Sequence, residues 1–178
     1  MKVHIHPHYA AYESYIRAIP SEEYEREEVY CNRRNTVERV RFGDKDFVIK
    51  KYKRPALINC LIYTWFRKSK AQRAFEYAEL FLQRGIETAP PVAYIEIKKN
   101  GFFHTGYFIS EYLPYPLVTD MFGTEMEEEE KKRLRHDLVD VSLQLHLIKV
   151  LPLDYNPKNI FYKRLIVILV FHPPPRTF

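Results

Sequence analysis

A chain of 178 residues, 46% of them hydrophobic, can bury one core, or one small lobe and part of another, without disulfide or metal staples. Its net charge of +5 points to anionic company, whether nucleotide, nucleic acid, phospholipid or phosphorylated sugar, and charge alone does not choose among them. Cys31 and Cys60 lack metal-ligand spacing and read as thiols of a reducing, cytoplasmic setting, no stretch approaches the roughly 20 apolar residues of a membrane-spanning helix, and five glycines leave no glycine-rich phosphate loop.

In chain order, residues 29–52 alternate as strands do. Val37, Val40 and Phe42 precede a Gly43-Asp44-Lys45-Asp46 turn, and Phe47-Val48-Ile49 follows, the pattern of a twisted antiparallel hairpin. Pro55 ends that run. Residues 56–66 are an apolar stretch that forms either a short helix or an amphipathic segment lying on a surface. Its Tyr63-Thr64-Trp65-Phe66, beside Arg67 and Lys68, suits packing within a lobe, with a membrane surface as the alternative. Ser69 and Gln72 have capping-box spacing, so a helix is expected over residues 70–84. Ala71, Ala74, Phe75, Ala78, Phe81 and Leu82 fall at helical spacing along it, and Gly85 supplies the stop.

Pro90-Pro91 opens an extended segment, after which residues 92–97, Asn100-Gly101 and residues 107–111 read as strand, turn, strand. Leu113-Pro114-Tyr115-Pro116 reads as a linker between lobes, because two prolines remove donors and fix an extended path. Thr124 and Glu127 offer a second capping box. Leu134, Leu138, Val141, Leu145 and Ile148 then step by four, three, four and three along an amphipathic helix. Residues 160–171 form a strand-like apolar run that gives way to three prolines. His4, His6 and His8 alternate as a metal clamp on a strand would, although Pro7 and the terminal position favour solvated imidazoles. The basic clusters at residues 50–54 and 67–73 and the acidic run 127–130 read as solvated faces or helix ends, and no specific nucleic-acid surface is expected.

The chemistry concentrates in Asp154-Tyr155-Asn156-Pro157-Lys158-Asn159. Asp, Asn and Pro together make turns in many proteins. Here a long helix ends eight residues upstream and an apolar exit follows, the order helix, loop, strand of a phosphotransferase catalytic loop. An aspartate five residues before an asparagine lets a carboxylate orient a substrate hydroxyl while the amide oxygen holds Mg²⁺. Lys50 closes the Val48-Ile49-Lys50 strand, where an ammonium can neutralise nucleotide phosphates, and Glu76 on the next helix is positioned to pair with it.

With these residues in view, the chain resembles the lipopolysaccharide kinase family (Kdo/WaaP type), whose members phosphorylate sugars of the lipid A–core region. The likeness rests on Tyr24-Glu25-Arg26-Glu27, Arg34-Asn35-Thr36-Val37, Val48-Ile49-Lys50, Arg67-Lys68-Ser69-Lys70-Ala71, Phe75-Glu76-Tyr77-Ala78, residues 85–95 and the Asp154 loop. It implies an α+β, protein-kinase-like fold: an antiparallel-sheet lobe with one αC-like helix (residues 1–112), the start of a helical lobe (113–162), and an atypical apolar, proline-rich tail (163–178). Lys50 would hold the α and β phosphates of ATP, Glu76 would pair with it, Asp154 would be the catalytic base and Asn159 a Mg²⁺ ligand. Arg34, Asn35 and Thr36 would stand in place of a glycine-rich loop, and Glu111 and Leu113 would flank the hinge that meets adenine. The acceptor implied is a lipopolysaccharide core or lipid A sugar, and the setting a cytoplasmic protein peripheral to an inner membrane.

Three departures from that family accompany the likeness. Pro152 stands where a His usually precedes the catalytic Asp by two, Lys149 stands where Gly is frequent, and no Asp or Glu follows Asp154. The last would remove the principal metal carboxylate, so the tail reads as truncated or out of frame, and weak or absent catalysis is expected. A pseudokinase that binds nucleotide or a partner without turnover is the second reading, and a basic module for RNA or anionic membrane the third.

Overall fold

Strand-forming alternation builds an antiparallel sheet in the first part of the molecule. The computed structural model describes residues 1–32, 35–122, 126–151, 157–163, 166–169 and 176–177. They fall into two compact units, one of Met1–Glu76 with Pro90–Tyr112, the other of Tyr77–Ala89 with Leu113–Phe178.

The first unit contains β1 (Lys2–Ile5), β2 (Arg26–Asn32), β3 (Asn35–Phe42), β4 (Lys45–Tyr52), β5 (Pro91–Lys99) and β6 (Phe102–Glu111). They form one antiparallel sheet in the order β1-β5-β6-β4-β3-β2. The β5–β6 turn is Asn100-Gly101 with φ of 53° and 82°, the left-handed pair whose twist matches the flanking strands. One face of the sheet carries Val40, Phe42, Phe47, Ile49, Ile95 and Ile109. It is closed by a 3-10 segment (Pro7–Tyr12) and α1 (Glu13–Ala18), which bring Tyr9, Ile16 and Ile19 into the same core. Each such burial contributes about 1.5–3 kcal/mol.

The stretch left open between helix and surface segment is a helix, α2 (Leu57–Trp65), anchored where Phe103 N–H donates to Thr64 Oγ1 at 2.8 Å. The expected long helix is α3 (Lys70–Gln83). Only half of its capping box forms. Gln72 N–H donates to Ser69 Oγ at 3.1 Å, but the Gln72 amide turns away, donating to Glu76 Oε1 at 2.9 Å and accepting from Lys2 Nζ at 3.3 Å. A glutamate one turn ahead and a lysine on β1 outcompete the reach back to the cap. Ala71 and Phe75 of α3 are buried in the first unit, where Phe75 meets Tyr94 edge-on at 5.5 Å and His4 at 4.9 Å.

In the second unit α3 ends in a Schellman motif: Ile86 N–H donates to Phe81 O at 2.9 Å and Gly85 N–H to Leu82 O at 3.1 Å, with Gly85 at φ 75°. Phe81 and Ile86 join Val118, Leu134, Leu145, Val150, Ile160 and Tyr162 in a core whose helices are α4 (Val118–Phe122) and α5 (Glu128–Leu147). The 134–148 stripe therefore faces inward as expected. The N-cap of α5 is Glu127, without a side-chain cap bond, and Thr124, expected to cap it, lies outside the described residues. Strands β7 (Val150–Leu151), β8 (Ile160–Lys163), β9 (Ile166–Leu169) and β10 (Arg176–Thr177) follow. The apolar run expected as one strand is interrupted after Lys163 and folds on itself, β9 pairing antiparallel with β8 from Ile160↔Leu169 to Lys163↔Ile166, while β10 pairs with β7. Pairing the two halves satisfies their backbone groups.

Candidate functional site

Alternation along β4 sends Phe47 and Ile49 into the core and Lys50 to the opposite face. There the ammonium-bearing side chain is 4% exposed, with its Nζ 5.4 Å from the Tyr52 ring centroid. Lys50 lies opposite Val37 on β3 and Phe108 on β6. Asn35 pairs with Tyr52 and Thr36 with Lys51, so both lie beside β4 within two residues of Lys50, about 7 Å along the strand. Asn35 and Thr36 are therefore brought to the same end of the ribbon as Lys50, where a glycine-rich loop was expected to be replaced. Arg34 lies outside the described residues.

Tyr52 was not singled out from sequence. Its hydroxyl is buried and, among the described residues, meets no hydrogen-bond partner; burial pushes its pKa up, opposed by Arg73. A buried cation suits a phosphate oxygen, which can accept from it. Such a strand aromatic carries no sequence signal separating it from core tyrosines.

Glu76 is half-buried on α3. Lys68 Nζ lies 2.8 Å from each of its oxygens, and Gln72 Nε2 donates to Oε1. Lys68 was also missed, because it lies eight residues before Glu76, across the start of the helix, where no periodicity pairs them. Close approach of α3 to the sheet depends on Gly106 on β6, where a Cβ would stand 3.0 Å from Ala71 Cβ.

Glu111 pairs with Phe47 at the far end of β4, three residues from Lys50. Its carboxylate accepts from Lys45 Nζ at 2.9 Å, and it supports the Tyr9 hydroxyl, whose pKa rises through burial and this hydrogen bond. Its N–H donates to Pro90 O at 3.0 Å, while Tyr112 N–H donates to Asp46 O at 3.0 Å, fixing the exit of β6. Leu113 begins the second unit, in a stretch of no regular structure.

In the second unit Asn159 ends a 3-10 turn (Pro157–Asn159) directly before β8 and is 7% exposed. Asp154 and Pro152 lie outside the described residues. Lys149 closes α5 at φ 56°, with its N–H on His146 O at 3.0 Å, so the position where Gly is frequent does adopt the left-handed conformation Gly favours. Arg84 Nη1 donates to Ile148 O at 3.1 Å, holding that same helix end.

Among the described residues no three His, Cys, Asp or Glu gather as a metal site. The alternating histidines diverge. His4 stacks on Tyr94 at 5.2 Å, whereas His6 Nδ1 accepts the His8 N–H at 3.3 Å and stacks on its ring. No described helix is long and apolar enough to cross a membrane.

Neither a family model nor a curated protein matches the chain by sequence. Solved structures do match. WaaP in complex with acyl carrier protein aligns over 100% of this chain and 73% of its own, at 12% identity and a TM-score of 0.66. WbdD aligns over 86% of this chain and 33% of its own, at 19% identity and 0.56. The kinase PK-1 of Cydia pomonella granulovirus aligns over 93% and 57%, at 16% identity and 0.59. Identities this low carry architecture rather than substrate. The chain has an α+β, kinase-like fold, with a six-stranded antiparallel sheet, an αC-like helix and the start of a helical lobe.

Proposed function

We propose that the chain is an ATP-dependent phosphotransferase of the lipopolysaccharide kinase type, acting on a sugar hydroxyl of the core or lipid A. The observation that carries this reading is the burial of Lys50 on β4, two residues from the Asn35↔Tyr52 pair and beside the Tyr52 ring, within a kinase-like fold. Bound Mg²⁺·ATP supplies the transferable phosphoryl group. Lys50 offsets phosphate charge, Tyr52 donates to a phosphate oxygen, and Arg34, Asn35 and Thr36 stand in place of a glycine-rich loop. Glu76 sets the position of the cationic side chains around it, Glu111 and Leu113 flank the adenine, Asp154 orients the acceptor hydroxyl and takes its proton, and Asn159 holds the metal. The protein works at the cytoplasmic face of an inner membrane, where such acceptors are made. The complex formed by WaaP makes acyl carrier protein the first protein partner to assay.

The test is Mg²⁺-dependent ATP binding, followed by phosphoryl transfer to core oligosaccharide, in the wild type and in Lys50→Met, which keeps the apolar stem. Saturable binding and transfer, both lost in Lys50→Met while the thermal transition persists, is the expected result. Binding that is indifferent to Lys50→Met would sink the reading. A second reading, nucleotide binding without turnover, is favoured by one observation: residues 155–178 contain no carboxylate side chain. It predicts the same binding and the same loss, with no transfer.

A further inference from the structure

Three large aromatic side chains of the first unit lie where water would meet them. Trp65 at the end of α2 is 64% exposed, Phe66 after it 85%, and Phe102 at the start of β6 41%. They are not at a loose end of the chain. Thr64 is bonded to Phe103 N–H, Tyr63 packs edge-on to Phe103 at 5.7 Å, and Trp65 stands edge-on to Phe102 at 5.6 Å. The end of the helix and the tip of the β5–β6 hairpin thus present one rigid aromatic edge.

The surrounding charge is of a single sign. Residues 53–70 carry five Lys or Arg and residues 98–104 two more, and neither stretch contains an Asp or Glu. The nearest carboxylates in sequence are already engaged, Glu76 by Lys68 and Glu96 by Lys2 at 3.6 Å. Beside Phe102 opens a cavity of about 420 Å³ lined by Arg54, Lys99 and His104 among others. Exposed aromatics with a basic rim are stable at the boundary between headgroups and acyl chains, where the rings leave water and the cations meet anionic lipid.

We propose that the α2–hairpin edge is a docking surface for an anionic lipid bilayer, with Trp65, Phe66 and Phe102 entering the interface and Arg67, Lys99 and Arg54 contacting lipid phosphates. None of these residues is among those assigned to phosphoryl transfer, and the proposal does not depend on that assignment.

Trp65 is the one tryptophan of the sequence, so its emission reports on this edge alone. The experiment titrates the full chain with phosphatidylcholine vesicles containing phosphatidylglycerol, and with phosphatidylcholine alone. The expected result is a blue shift with the anionic vesicles only, reversed by high salt. Arg67→Gln combined with Lys99→Gln weakens partitioning about 25-fold, at about fivefold per cation. Phe66→Ser, at an exposed position that leaves the thermal transition in place, weakens it about tenfold. Unchanged emission with anionic vesicles, equal binding to neutral ones, or variants that partition like the wild type would each overturn the proposal. Capture of heparin or RNA with no change in Trp65 emission under any vesicle condition would overturn it in favour of a soluble polyanion.

Discussion

Lys68 and Glu76 form a two-pronged ion pair, with Nζ 2.8 Å from both carboxylate oxygens, joining the segment before α3 to the middle of that helix. Both side chains are substantially exposed, so the pair contributes little to stability, about 1 kcal/mol at most. It does commit the glutamate that the kinase-like reading assigns to nucleotide binding. Lys68→Gln is therefore predicted to leave urea stability within about 0.5 kcal/mol while raising Mg²⁺·ATP affinity by up to about fivefold. Calorimetric titration checks this. Lowered or unchanged affinity would mean that Glu76 acts from its present pairing.

Gly106 governs how closely α3 lies on the sheet. A Cβ there would meet Ala71 Cβ at 3.0 Å and the Ile95 carbonyl oxygen at 3.4 Å. Gly106→Ala is predicted to cost about 1–3 kcal/mol through overpacking. Ala71→Gly costs about 1 kcal/mol by itself through helix propensity. The double variant should be more stable than the sum of the two, because removing one methyl makes room for the other. Urea unfolding of the four proteins of the cycle measures this coupling, and strict additivity would refute the contact argument.

Lys149 holds a left-handed backbone at the end of α5, with φ 56°. An L side chain there costs about 1–2 kcal/mol relative to its preferred regions, whereas glycine adopts the conformation at no steric cost and loses part of the gain to its freer unfolded chain. Lys149→Gly is expected to raise stability by about 0.5–1 kcal/mol, read as an upward shift in Tm. A downward shift would mean that the Lys149 side chain makes a compensating contact.

Asp46 receives Arg41 Nε at 2.6 Å and Arg39 Nε at 3.1 Å. The Arg41 guanidinium, with Arg39 beside it, holds its carboxyl down to about 2 from 3.8, against the opposing effect of burial. A depressed folded-state pKa stabilises above the unfolded value and is lost as pH falls through the folded one. Thermal stability is therefore predicted to fall between about pH 4 and pH 2, and Asp46→Asn should flatten that part of the profile. A wild-type curve of the same slope as the variant's would count against the assignment.

Much of the fold was legible from residues 29–148. The alternation around Gly43, the Asn100-Gly101 turn, the Ser69 cap, the Gly85 stop and the 134–148 stripe each encode a local conformation in residue type and spacing, and most elements form close to their expected bounds, whereas the strand expected at 107–111 starts five residues earlier, at Phe102. What was misread depended on competition. Gln72 was expected to bond back to its cap and instead serves Glu76 and Lys2, partners four and seventy positions away. The 160–171 run looked like one strand because apolarity alone does not mark where a chain reverses.

Of the candidate site, the sequence by itself determined that Lys50 follows the apolar Phe47-Val48-Ile49 run and that Asn159 follows Pro157, since both rest on neighbours within a few residues, although β4 continues past Lys50 to Tyr52. Only the tertiary structure decided what surrounds them. Strand register set Lys50 against Val37 and Phe108 and two residues from the Asn35↔Tyr52 pair, and burial left the Tyr52 hydroxyl without a described partner. Packing brought Lys68 to Glu76 and Trp65 to Phe102. Such pairings depend on chain closure over long separations, and the free energy that selects them comes from packing of the whole sheet and its helices rather than from any local pattern.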